Sequence, residues 1–395
     1  MNAHGTVVLK QSFSDSILRG KTILFVVNEG GFFLSHRKAL GVAAQHAGAR
    51  VVIAAPSDGS FKEIQAAGFE CIPITLRRWG MNPLREIGAI YDLIKTYRQL
   101  QPDIVHHVTI KPVIYGSIAA KIAKIPHIVN AVSGLGYVFL SKGFTAYVRR
   151  YLVRALYVLA LRKTKVIFQN PDDECAFVDE KLVRKSQSIL IRGSGVNLEA
   201  FPFIPEPIVA KPMVLLPGRI LRAKGIKEFV QMVAYLRAEG VNAKYVVAGE
   251  HPIGNPDAVR LEDLALWSRA QAIEICGYVA DIQKLYAKAA VVCLPSYREG
   301  LPRALLEAAA TGRALVAFDV PGCREIVCNN YNGFTVPLGD VEGLAQRVKV
   351  LLEKPVLRQE LGKNSRRLVE ENFSEESVVT STLAVYQEFF NDSAR

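Results

Sequence analysis

The stretch AVVCLPSYREGLPRALLEAAATGRALVAF, from Ala290 to Phe318, decides the fold. It opens on an unalternated apolar run, Ala290 to Leu294, that stops at Pro295. A polar loop containing Gly300 follows, then a helical pattern from about Pro302, then a second apolar run from Ala314 to Phe318. Apolar runs without polar alternation, spaced by helices, are the signature of parallel strands buried on both faces.

The same alternation extends outward in both directions. In the second half, strand-like runs lie at Met213 to Pro217, Lys244 to Ala248 and Ile273 to Cys276. In the first half they lie at Thr22 to Val27, Arg50 to Ala54, Asp103 to His106, His127 to Val132 and Lys165 to Gln169. Two such sets predict an α/β chain of two doubly wound, Rossmann-like parallel-sheet domains. The length of 395 residues fits two domains. The expected division is a loose tail over 1–20, a first domain over 21–196, a linker over 197–212, a second domain over 213–372 and a final helix within 373–395. Four prolines between Asn197 and Pro212 stiffen that linker and keep it from forming a helix.

Half of the residues are hydrophobic, enough for a core in each half, and the formal net charge is +12. Such a balance favours anionic partners: a diphosphate, an anionic membrane surface or nucleic acid. No recognisable nucleic-acid module accompanies the charge. The six cysteines form no C-x-x-C pair and several sit in apolar runs, so they read as reduced, buried thiols. The first twenty residues lack the apolar stretch of a signal peptide, and no run approaches the ~20 apolar residues of a membrane span. The expected location is therefore cytoplasmic, with contact to a membrane surface and no crossing.

In open parallel sheets ligands bind at the C-terminal ends of strands, where helix N-termini direct free N–H groups at anions. The loop Glu299-Gly300-Leu301 is in that position, and Glu299 and Glu307 could reach opposite ends of a bound sugar nucleotide. They could equally be solvated charges that suit a helix start. Gly218-Arg219 ends another strand, and Lys224-Gly225 opens the next helix. Two cations there suit a diphosphate and the charge that develops as it leaves, although ordinary surface basics would look the same. The G-x-x-x-x-G-K-[ST] spacing is absent, as is G-x-G-x-x-G, which argues against a dinucleotide oxidoreductase. In the first half, Gly30-Gly31 could turn backbone N–H groups toward a phosphate. His36, His106 and His107 lie near strand ends and can be functional or merely structural. No D-x-D and no metal-ligand spacing occurs.

A basic apolar stretch runs from Tyr137 to Phe168, with Lys142, Arg149, Arg150 and Arg154 among large apolar residues. It reads either as a domain helix or as a membrane-surface face that meets anionic lipid. Leu76 to Arg85 adds Trp79 and three arginines.

The ordered motifs G-R…K-G, G-Y-V, E-G-L-P-x-A-L-L-E-A and N-G-F-x-V-P resemble those of the retaining family 4 glycosyltransferases of GT-B fold. The likeness covers nearly the whole chain. "GGFFLSHR", "VHHVTIKPVIYG" and "VSGLGYVF" are similar to bacterial enzymes that extend undecaprenyl-diphosphate-linked sugars. The resemblance implies two facing domains and a C-terminal helix that returns to the first. It implies that Arg219 and Lys224 hold the donor diphosphate, and that Glu299, aided by Gly300 and Leu301, holds the donor sugar. Glu307 would hold the ribose, Gly277, Tyr278 and Val279 would border the uracil, and Gly30, Gly31 and Gly218 would approach the donor. His107, or its neighbour His106, would stand near the reacting sugar. His36, Ser133, Gly134 and Tyr137 would face the acceptor. The implied activity is metal-independent, retaining transfer of a sugar, an N-acetylhexosamine among the candidates, from a UDP-sugar to a polyprenyl-diphosphate-linked saccharide at the inner membrane face. A soluble GT-B glycosyltransferase or a nucleotide-sugar epimerase is the alternative, and a non-enzymatic binding protein a third.

Overall fold

A computed structural model describes residues 17–77, 82–132, 144–252, 254–270 and 272–391. Ser133, Gly134, Tyr137, Lys142 and Trp79 lie outside the described residues, as do the side chains of Arg149 and Arg150.

The first sheet contains β1 (Thr22–Val26), β2 (Arg50–Ala55), β3 (Glu70–Pro73), β4 (Ile104–Val108), β5 (His127–Val132), β6 (Lys165–Phe168) and β7 (Ser188–Leu190). They are ordered β3-β2-β1-β4-β5-β6-β7 and every pairing is parallel. The second contains β8 (Met213–Pro217), β9 (Lys244–Ala248), β10 (Glu274–Gly277), β11 (Ala289–Leu294), β12 (Ala314–Phe318) and β13 (Gly333–Val336), ordered β10-β9-β8-β11-β12-β13 and again parallel. The strand order reverses between β1 and β4 in one sheet and between β8 and β11 in the other. Those reversals open the crevices in which α/β sheets bind ligands.

Central strands β4, β8, β11 and β12 are buried along their whole length, which is why β8, β11 and β12 read as continuous apolar runs, whereas β4 carries two histidines in its buried interior. Three strands did not stand out in the sequence: β3, β7 and β13. All three lie at sheet edges, are three or four residues long, and β3 and β7 are only partly buried. β4 also runs further than expected. It continues to Val108, so His106 and His107 sit inside the strand and not at its end.

The C-terminal helix Glu375–Asn391 packs on the first domain, where Leu383 and Tyr386 join the core around Phe25 and Phe33. Its entry is pinned by Val196 N–H donating to the Phe373 carbonyl and Glu375 N–H donating to the Val196 carbonyl, at 2.9 and 3.0 Å. The segment after Asn197 is strapped to the second domain. Arg358 pairs with Glu206 at 2.5 Å with both side chains buried, and Ile204 N–H donates to the Thr311 carbonyl. Among the described residues no helix is long and apolar enough to cross a membrane.

Candidate functional site

The site grows from the ends of β8 and β11. Gly225, at φ 70°, caps a short turn over Arg222–Lys224, and a Cβ at Gly225 would collide with the Pro295 carbonyl. Only glycine allows both the left-handed backbone and this contact. Tyr297 N–H donates to the Ala223 carbonyl at 2.9 Å, and the Tyr297 hydroxyl donates to Glu228 at 2.8 Å. These links bring the two loops together, and Lys224 Nζ meets Glu299 Oε1 at 2.5 Å with both side chains largely buried. Gly218, at φ 142°, lies against the aliphatic part of Lys224. Arg219 follows on the same rim. Gly277 accepts from Gly249 N–H at 2.8 Å, Val279 packs on the core, and Tyr278 is exposed.

Glu307 is on the helix Arg303–Ala310, whose N-terminus follows the Glu299 loop. Tyr286, buried in the core, donates its hydroxyl to Glu307 Oε2 at 3.1 Å, and Arg303 Nη2 donates to Oε1 at 3.0 Å. Burial raises the Glu307 pKa, against the opposing pull of Arg303 and the Tyr286 hydroxyl. Tyr286 in turn is pushed well above its ordinary value by burial and by the Glu307 charge. Glu307 is thus held in one orientation by groups of the protein itself.

The loop carrying Glu299 is also an interface with the first domain. Asn170 Nδ2 donates to the Gly300 carbonyl at 2.7 Å, while the Asn170 side-chain oxygen caps the helix Pro171–Asp179 by accepting from Asp173 N–H at 2.8 Å. Arg298 pairs with the buried Asp173 at 2.7 Å, and Arg324 with Asp172 at 3.4 Å. Arg192 reaches Glu325 at 3.6 Å. Leu301 is buried, and Gly193 of the first domain leaves space beside its side chain. Asn170, Asp173, Arg298, Arg303 and Tyr286 escaped the sequence reading. "NPDD" at Asn170 carries the signal of a helix start and nothing that points across a domain boundary.

On the first-domain side, Gly30 is a packing glycine. A Cβ there would run into Ser60 Oγ and Ile64, where the helix Gly30–His36 crosses the helix Gly59–Ala66, whereas Gly31 has open space around it. His36 is half-buried, stacked on Phe32 with ring centroids 4.0 Å apart. Thr109, the first residue beyond β4, holds φ 74°, an outlier for a β-branched residue, and donates its hydroxyl to Asn28 Oδ1 at 2.9 Å. A π-helical turn, Pro112–Gly116, follows it, and Lys111 pairs with Glu86 at 2.7 Å. Strain and a π-turn gather at functional sites, yet neither has a sequence signature that stood out.

The two histidines, expected at the end of β4, lie inside it. His107 is fully buried; its Nε2 meets the Tyr97 hydroxyl and its Nδ1 meets Asn130 Oδ1, both at 2.9 Å, with Ser117 Oγ at 3.3 Å. Burial pushes its pKa down to about 4, partly offset by the Asn130 hydrogen bond. His106 faces the other side of the sheet, stacked on Phe25, with Nδ1 2.5 Å from the Tyr386 hydroxyl. Both rings are core residues because alternate side chains of β4 point to opposite faces and both faces are covered. Arg154, expected at a membrane face, pairs with Glu180 at 3.6 Å and keeps part of its side chain exposed.

Comparisons with known proteins bear on the family and the fold. Residues 22–170 match the family described as glycosyl transferase 4-like, and residues 199–368 match glycosyl transferases group 1. A relative in Campylobacter jejuni, N,N'-diacetylbacillosaminyl-diphospho-undecaprenol alpha-1,3-N-acetylgalactosaminyltransferase, is 30% identical over 80% of this chain and 85% of its own. An Escherichia coli relative, UDP-Gal:alpha-D-GlcNAc-diphosphoundecaprenol alpha-1,3-galactosyltransferase, is 24% identical over 74% of this chain and 76% of its own. Among solved structures, sucrose-phosphate synthase from Thermosynechococcus elongatus superposes with a TM-score of 0.79 at 20% identity, over 94% of this chain and 100% of its own. With two facing parallel sheets and both halves matched in order, the chain belongs to the family 4 (group 1) glycosyltransferases and has their GT-B fold.

Proposed function

We propose that this glycosyltransferase moves a sugar from a UDP-sugar to an undecaprenyl-diphosphate-linked saccharide in bacterial glycan assembly, at the cytoplasmic face of the membrane. The observation that carries the donor half is the Lys224–Glu299 pair at the mouth of the β8–β11 crevice, with Arg219 on the same rim and Glu307 pre-oriented by Arg303 and Tyr286. In this reading Glu307 accepts hydrogen bonds from the ribose, Arg219 and Lys224 hold the diphosphate, and Glu299 holds hydroxyls of the transferred sugar. Tyr278, exposed beside Gly277, borders the uracil. The acceptor half is supported by the two relatives whose names state a diphosphoundecaprenol acceptor.

Transfer proceeds with retention. The bond from the anomeric carbon to the diphosphate oxygen breaks, the acceptor hydroxyl attacks on the same face, and the departing phosphate takes the hydroxyl proton. Guanidinium and ammonium groups stabilise the charge on the leaving diphosphate without a metal. The membrane contact is supported by the exposed Tyr151 and Leu152 beside Arg154 on the helix Phe144–Leu161. The test is UDP release from a panel of UDP-sugars, with and without a diphosphoundecaprenol-linked saccharide and with EDTA present. One UDP-sugar should give acceptor-dependent release that EDTA leaves intact; release that ignores the lipid-linked acceptor would refute the reading.

A further inference from the structure

We propose that His36 touches substrate as a neutral hydrogen-bond acceptor, its Nε2 receiving a hydrogen bond from a sugar hydroxyl where the two domains face each other. The inference rests on the transfer reaction above and adds the atom, the tautomer and the kind of group that it meets. The argument begins with Ser35. Its Oγ lies 2.7 Å from the Gly31 carbonyl oxygen and 2.7 Å from His36 Nδ1. A hydroxyl has one proton and two lone pairs. Two oxygens at 2.7 Å need that proton between them, so Ser35 donates back to the Gly31 carbonyl one turn earlier, a bond that serine makes readily inside helices. The Ser35 lone pair then takes the proton of His36, which places N–H on Nδ1 and leaves Nε2 as a bare acceptor.

The surroundings keep the ring in that state. Burial, then Arg303, Arg37 and, more weakly, Arg219 push the imidazole well below its ordinary pKa, against a smaller opposing bond to the Phe32 backbone. Arg37, the next residue, donates to the Gly193 carbonyl at 3.3 Å, and a Cβ at Gly193 would meet the Leu301 side chain in the Glu299 loop, so this end of the helix lies beside the donor site, to whose rim and helix Arg219 and Arg303 belong. Stacking on Phe32 at an interplanar angle of 4° fixes its plane. A bare nitrogen repels phosphate oxygens, so the diphosphate stays with the cations, and a hydroxyl is the group that His36 can take. That hydroxyl comes from the attacking acceptor or from the donor sugar, and the two sources respond differently to substitution.

The experiment uses the full chain and three variants. His36→Ala removes the acceptor, His36→Gln offers an amide oxygen near the position of Nε2, and Ser35→Ala releases the tautomer. Loss of one such hydrogen bond should lower kcat/KM about three- to tenfold in His36→Ala, with substantial recovery in His36→Gln and unchanged affinity for UDP. A loss confined to acceptor-dependent transfer identifies the acceptor hydroxyl; an equal loss in acceptor-free hydrolysis of the UDP-sugar identifies the donor sugar. Unchanged kcat/KM in both assays overturns the proposal. Imidazole 15N NMR reads the tautomer without turnover, and therefore separates this inference from the choice of acceptor. Nε2 should be unprotonated in the wild type and exchange with the other tautomer in Ser35→Ala. A protonated Nε2 in the wild type also overturns the proposal.

Discussion

Lys224 Nζ and Glu299 Oε1 lie 2.5 Å apart, across 75 residues of sequence, so each is the other's counter-charge. A donor that places its diphosphate on Lys224 and its sugar on Glu299 has to share or part this pair. Glu299 therefore competes with the diphosphate for Lys224. Glu299→Gln should bind UDP at least as tightly as the wild type while turnover falls about 10²-fold, the loss expected if Glu299 acts on the transferred sugar as proposed. Lys224→Ala should weaken UDP binding and turnover together. The double variant should depart from additivity by about 0.5–3 kcal/mol, the range for residues in direct contact. Calorimetric UDP titrations of the four proteins check this; strict additivity would mean that the pair does not couple to the donor.

Glu307 gives a prediction with a defined pH sign. Its pKa is raised above the ordinary 4.5 by burial, so on acidification it takes up a proton sooner than a free glutamate would. In the proposed donor complex the carboxylate would accept from two ribose hydroxyls, and that capacity would fall on protonation. UDP affinity should therefore be flat near neutral pH and decline on the acid side, beginning above the range of an unperturbed carboxylate. Glu307→Ala should lose about 1.5–3 kcal/mol, or roughly 10- to 150-fold in transfer efficiency. The acid decline should also vanish in Glu307→Gln. An acid decline that survives this substitution assigns it to another group.

The architecture was legible because its evidence is local. The fully buried strands β8 and β11 are apolar at every position, and their ends are marked by Gly218 and by Pro295. The edge strands β3 and β7 escaped because one face of each meets solvent and their patterns shorten to noise. In the site, Lys224 and Glu299 were legible as strand-end charges, but their mutual contact depends on how two loops pack at Gly225 and Pro295. His106 and His107 misled because the end of β4 is set by pairing with β5 through Val108, which composition does not show. Asn170 and Asp173 were invisible as site neighbours, since they meet Gly300 and Arg298 only once the two domains face each other.

His107 offers a clean test of a structural role. Its ring joins Tyr97, Asn130 and Ser117 in a buried network. His107→Phe would strand those partners at a cost of about 1–3 kcal/mol for each unsatisfied group. Thermal unfolding should shift downward by several degrees, at about 2–4 °C per kcal/mol for a domain of this size. Turnover per folded molecule should stay within about twofold of wild type. A large loss of turnover at unchanged thermal stability would return His107 to the reaction.

The acceptor and the membrane can be tested together. Leu84, Ile87 and Tyr91 are exposed at i, i+3 and i+7 of the helix Pro83–Leu100, so they form one stripe, with the exposed Lys95 and Arg98 continuing it. Tyr151 and Leu152 are exposed on the helix Phe144–Leu161, and both helices pack against the helix Ser117–Ile122. Both follow strands of the first sheet, so their N-terminal ends lie toward the strand ends where an acceptor would enter. A bilayer that presents anionic headgroups satisfies both the apolar stripes and the cations near them. Binding to anionic vesicles should therefore exceed binding to neutral ones and weaken as salt rises, since exposed charges are screened over about 8 Å at physiological ionic strength. Ile87→Asp and Leu152→Asp should each reduce vesicle binding without changing the affinity for UDP in solution. They should also lower kcat/KM for a diphosphoundecaprenol-linked saccharide in vesicles more than for the same saccharide on a short, soluble diphosphate carrier. Equal loss on both carriers would place the defect in the site and not at the membrane. Equal binding to neutral and anionic vesicles would remove the electrostatic part of the contact and leave only the apolar stripes to hold the chain at the surface.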